Sequence, residues 1–104
     1  MYKIGLISCY FGELKPEFYL WLNSCGYNKT IDFLFVTDQE IIADICPPNV
    51  KIVHTTLKYI KDAADRIFNF DVELSTPYKL CDYKVAYGLI FQEELKQYDF
   101  WGYC

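Results

Sequence analysis

The chain has 104 residues, 53% of them hydrophobic and 19% aromatic, enough for one packed core and too apolar for a disordered segment. Its formal net charge of −4 argues against binding to nucleic acid or an anionic membrane through bulk electrostatics. No apolar run approaches the roughly 20 residues that cross a bilayer, so no transmembrane segment is expected.

The opening, "MYKIGLISCYFG", carries one lysine and a short apolar run without a small-residue cleavage site, so it reads as a strand entering a loop rather than a signal peptide. Lys3–Cys9 is the continuous, partly β-branched run expected of a central parallel strand covered on both faces. Tyr10-Phe11-Gly12 forms the turn after it. From Pro16, "PEFYLWLNSCGYN" predicts a helix, with proline in its first turn and Gly26 or Asn28 at its stop.

Thr30–Asp38 predicts the second strand, again almost wholly apolar. "QEIIADI" reads as a short helix ended by Cys46-Pro47-Pro48, and Asn49–Thr56 as a third strand whose alternation leaves one face less covered. Leu57–Phe70 has apolar residues at Leu57, Ile60, Ala64, Ile67 and Phe68, a helical spacing. Thr76 as N-cap and Pro77 at the first helical position start a long helix, with Leu80, Tyr87, Phe91 and Leu95 on one stripe. Gly88 in its middle costs about 1 kcal/mol relative to alanine and marks a close approach by another backbone. Tyr98–Cys104, "YDFWGYC", closes the chain as a fourth strand. The order predicts an α/β fold: one domain over residues 1–104, with a mainly parallel, Rossmann-like sheet of about four strands flanked by helices.

Open parallel sheets bind ligands beyond the carboxyl ends of their strands. After the first strand, Ser8 to Gly12 has too few glycines for a dinucleotide fingerprint, and no phosphate-loop motif occurs anywhere. The stretch reads equally as a turn plugged by core aromatics or as backbone N–H groups and an aromatic wall for a nucleotide. Asp38, after the second strand, reads as a helix N-cap or as an acceptor for a base or ribose. His54, after the third, is the only histidine, with no partners to complete a metal site, and reads as a hydrogen-bonded structural residue.

In the helix after Pro77, Lys84 lies on the stripe of Leu80, Tyr87 and Phe91, with Asp82 roughly opposite. A lysine on a buried face costs several kcal/mol unless it is paired or reaches water. It reads equally as a cation for a phosphate or carboxylate and as a lysine snorkelling at the helix edge. The five cysteines, Cys9, Cys25, Cys46, Cys81 and Cys104, lack C-x-x-C spacing and read as reduced, buried thiols in a cytoplasmic protein.

"KIGLISCYFG", "TIDFLFVTD", "TPYKLCDYKVAYGLIF" and "YDFWGYC" together resemble the start of a bacterial glycosyltransferase-like family from polysaccharide and cell-surface gene clusters. The resemblance covers nearly the whole chain and is most specific in "TPYKLCDYK" and "YDFWGYC". Val85 departs from it, standing where many relatives carry proline. It implies a sugar-nucleotide transferase of the GT-A type, this chain corresponding to the N-terminal half of that fold. Tyr10, Phe11 and Gly12 would then line the nucleotide pocket, Asp38 would face the base or ribose, and Lys79, Asp82 and Lys84 would sit near the diphosphate or order the site.

The same resemblance implies Mn²⁺ or Mg²⁺ held by an Asp-x-Asp motif, because a hard cation prefers oxygen ligands and neutralises the leaving group. That motif would begin immediately after Cys104. The expectation is therefore an N-terminal nucleotide-sugar-binding portion that holds no metal and transfers no sugar by itself. The alternative is a non-catalytic α/β scaffold that self-associates through an exposed sheet edge. A different nucleotide-handling enzyme on a Rossmann-like sheet is disfavoured by the missing phosphate loop.

Overall fold

A computed structural model of the chain describes residues 2–41, 43–68 and 86–103. Its elements are β1 (Ile4–Cys9), α1 (Glu17–Tyr27), β2 (Ile31–Thr37), a 3₁₀ turn (Ala43–Ile45), β3 (Val50–His54), α2 (Leu57–Phe68), α3 (Tyr87–Ile90), α4 (Gln92–Leu95) and β4 (Phe100–Tyr103). The four strands form one sheet in the order β3-β2-β1-β4, and every neighbouring pair is parallel. This is the expected α/β, Rossmann-like arrangement.

The central position of β1 and β2 explains their unbroken apolar runs. On β2, Phe33 and Phe35 face α1 and pack with Phe18, Leu22 and Cys25. Leu34 and Val36 point the other way, into a cluster with Ile7, Ile60, Tyr87, Phe91 and Leu95. From Phe33 to Val36 alternate side chains thus serve two cores, while the polar residues of the strand, Asp32 and Thr37, lie near its ends. The edge strands differ. β3 exposes Lys51 and His54, while β4 leaves Phe100 56%, Trp101 39% and Tyr103 47% exposed.

Buried Asn49 fastens the lower end of this layer. Its side-chain Nδ2 donates to the carbonyl oxygens of Cys25, Asn28 and Ile31 at 2.8, 3.1 and 2.9 Å. These carbonyls end α1 and begin β2, so one amide ties the helix terminus to the sheet. Asn49 is therefore a connector, and the third strand starts at Val50, one residue later than its apolar pattern suggests. Asn28, one of the two anticipated stops, is the C-cap of α1.

Two helical expectations change. Among its described residues, the segment "QEIIADI" contributes a three-residue 3₁₀ turn, too short a stretch before Pro47 and Pro48 to support an α-helix. The anticipated long helix is broken in its described part at Phe91, whose φ and ψ of −106° and 32° separate α3 from α4. Its stripe of Tyr87, Phe91 and Leu95 is nonetheless buried. The close approach at Gly88 is made by a side chain, not a backbone: a Cβ there would lie 2.7 Å from Cζ2 of Trp101. The start of that helix at Thr76 and Pro77, with Leu80, Cys81 and Val85, lies outside the described residues, as does Cys104.

Candidate site at the carboxyl edge of the sheet

The chain leaves β1 through Tyr10, whose backbone N–H donates to Val36 O at 2.9 Å and carries the ladder one residue past the strand. The next side chain turns inward: Phe11 is buried in the core with Ile7, Leu34 and Val36. Gly12 then adopts φ 108°, a conformation that L side chains rarely take. This geometry points the Gly12 N–H at the end of β2, where it donates to Asp38 Oδ1 at 3.0 Å.

Asp38 is exposed and accepts a second hydrogen bond, from Gln39 Nε2 at 3.0 Å. Its carboxyl is held below the usual range, chiefly by the Gln39 side chain and the Gly12 amide, with a smaller contribution from the charge of His54. It does not cap a helix, since none begins in residues 39–41 directly after it. Beneath it Thr37 is fully buried; its Oγ1 accepts from Gln39 N at 3.2 Å, and its carbonyl accepts from Thr55 N at 2.9 Å. From the end of β3, His54 Nε2 lies 3.1 Å from Asp38 O and 3.6 Å from Glu40 Oε1.

A cleft of about 290 Å³ opens beside this edge, under the start of α1, lined among others by Ser8, Tyr10, Lys15, Trp21 and Phe35. It combines aromatic faces with one cation, Lys15, and one carboxylate, Glu17. Tyr10, 40% exposed, belongs both to the cleft and to the turn that reaches Asp38.

Of the residues singled out from sequence, Tyr10, Gly12 and Asp38 come together at this edge, while Phe11 supports them from the core. Lys79, Asp82 and Lys84 lie outside the described residues. Lys15, Trp21 and Gln39 carried no signal of their own, since each is a common residue on a loop or helix whose position is defined only by the fold. Among the described residues, no three His, Cys, Asp or Glu side chains gather to hold a metal. No described helix is long and apolar enough to cross a membrane.

A parallel sheet flanked by helices, with its carboxyl edge joining a glycine turn, a carboxylate and an aromatic cleft, defines an α/β domain of Rossmann-like form with a candidate ligand site. More particularly, the chain belongs to DUF6625, a family of unknown function whose pattern matches residues 6–104. Comparison with curated proteins gave no match, and comparison with solved structures gave none.

Proposed function

We propose that the carboxyl edge binds the nucleotide of a sugar nucleotide, and that the chain is the nucleotide-binding portion of a GT-A-like glycosyltransferase. The observation that carries this reading is the Gly12 N–H bond to Asp38 Oδ1, which fixes a carboxylate beside an exposed aromatic turn. An ionised carboxylate accepts hydrogen bonds from a base N–H or a ribose hydroxyl, and a tyrosine face stacks on a planar base. The cleft is lined mainly by apolar and aromatic groups with few polar ones, as small-molecule sites usually are.

Lys79, Asp82 and Lys84 are assigned to the diphosphate end by the resemblance alone. A bound Mn²⁺ or Mg²⁺ would supply charge neutralisation at the leaving diphosphate; its aspartates belong, on this reading, after Cys104. The proposal for these 104 residues is therefore binding, not transfer, with cytoplasmic placement following from the cysteine reading.

Titration of the ¹⁵N-labelled chain with UDP, GDP and CMP, with and without Mn²⁺, tests the reading. Weak binding that shifts the Tyr10, Gly12 and Asp38 amides and changes little with Mn²⁺ is expected. Unperturbed amides at this edge would remove the nucleotide site, and tight metal-dependent binding would place metal ligands within the chain.

A second reading, a self-associating scaffold, is favoured by β4. It is an edge strand among the described residues, with no charge in "FWGY", whereas β3 carries Lys51 and His54. Uncharged edges invite pairing with another strand. Sedimentation over a range of concentrations is expected to show dimers that Trp101→Lys removes.

A further inference from the structure

We propose that His54 is a positioning residue for Asp38, and through it for the turn after β1. The inference rests on the nucleotide-site reading for its consequence, though not for its geometry. Three consecutive strand ends are laced in series. His54, closing β3, reaches the Asp38 carbonyl at 3.1 Å, and the Asp38 carboxylate, following β2, reaches the Gly12 N–H at 3.0 Å. Gly12 in turn sets the turn that follows β1.

The chemistry of the first link assigns its proton. A carbonyl oxygen only accepts, so the His54 Nε2 carries the hydrogen. That link grips Asp38 by its backbone and leaves the carboxylate for Gly12 and Gln39. Without it, the segment after β2 would be held by the Gln39 N–H to Thr37 Oγ1, the Gln39 side chain and Gly12 itself. The charged groups near the imidazole are Glu40, at 3.6 Å, and Asp38. The Glu40 side chain is almost wholly exposed and holds the ring weakly. His54 is itself half exposed, so its replacement removes little packing.

A glutamine amide offers a donor at similar reach and alanine offers none, which makes His54→Gln and His54→Ala the informative pair. In the ¹⁵N-labelled full chain, the Gly12 amide resonance followed against pH reports ionisation of Asp38, and its hydrogen exchange reports the bond between them. In His54→Ala the titration midpoint is expected to rise and Gly12 exchange to quicken several-fold. His54→Gln is expected to restore the exchange rate toward the parent, and the midpoint only in part, since glutamine lacks the charge of His54. UDP affinity is expected to fall about fivefold in His54→Ala, the equivalent of one ordinary hydrogen bond, and to recover in His54→Gln.

Identical Gly12 midpoints and exchange rates in the parent and His54→Ala would overturn the positioning role. A moving Gly12 signal in a chain that binds no UDP would uphold the link and overturn the nucleotide reading instead.

Discussion

Tyr98 lies against Gly5, so closely that a Cβ on Gly5 would stand 2.9 Å from Cδ2 of the phenol ring. Residing just before β4, the ring crosses β1 to place its hydroxyl on β2, donating to Asp32 Oδ2 at 2.6 Å. Lys51 of β3 completes the group, 3.1 Å from the Tyr98 oxygen and 3.2 Å from the Asp32 carboxylate. Burial, and then the bond to Asp32, push the Tyr98 phenol above its ordinary value. Tyr98 thereby joins side chains of β2 and β3 and packs on β1, at the end of the sheet opposite the candidate site.

Gly5→Ala is therefore expected to destabilise the fold by about 1–3 kcal/mol, the usual range for overpacking. Tyr98→Phe, which keeps the ring and loses the hydroxyl, should cost about 1 kcal/mol. Urea midpoints of the two single variants and the double variant measure this, and the effects should fall short of additive because a ring displaced by Gly5→Ala has already lost its hydroxyl bond to Asp32. A neutral Gly5→Ala would show that the ring does not need the space.

Asn49→Ala removes one amide from three carbonyls in a buried position and is expected to cost about 1–3 kcal/mol. Asn49→Asp should cost more, since it sets a carboxylate against three carbonyl oxygens. Thermal unfolding of both gives the order, and equal losses would mean that the aspartate side chain turns away from them.

The pH dependence of Asp38 has a definite sign. The folded chain holds this carboxyl below its unfolded value. Its contribution is thus fully present above the ordinary carboxylate value of about 3.9, and is lost as pH falls through the depressed folded value. The stability gap between the parent and Asp38→Asn should be flat from neutrality to about pH 5, then close on further acidification. Denaturant midpoints across that range check it, and a gap that widens on acidification would reverse the assignment.

Gly88 is set against Trp101, whose indole Cζ2 would lie 2.7 Å from an added Cβ. An alanine in a helix normally gains about 1 kcal/mol over glycine. That gain is expected when Gly88→Ala is made in a Trp101→Ala background, and is expected to vanish or reverse when Trp101 is present. A double-mutant cycle by urea denaturation measures the coupling, and equal effects in the two backgrounds would remove the indole as the reason for the glycine.

The sequence by itself determined the elements that burial writes locally. β1 and β2 are continuous apolar runs because both of their faces are covered, and the stripe of Tyr87, Phe91 and Leu95 is buried as its spacing demands. Gly12 and Asp38 were legible as candidates because they follow those strands, where parallel sheets place ligands, and the structure joins them by a hydrogen bond. Only the tertiary structure decided which strands are neighbours, and hence that β4 pairs with β1 and, among the described residues, lies at an edge of the sheet. The same is true of Tyr98 over Gly5, the Asn49 amide among three carbonyls, Trp101 on Gly88, and His54 on the carbonyl of Asp38. Each of these joins residues 13 to 93 positions apart in the chain. Periodicity records how each segment meets a face, but not which distant segment supplies the other half of a contact.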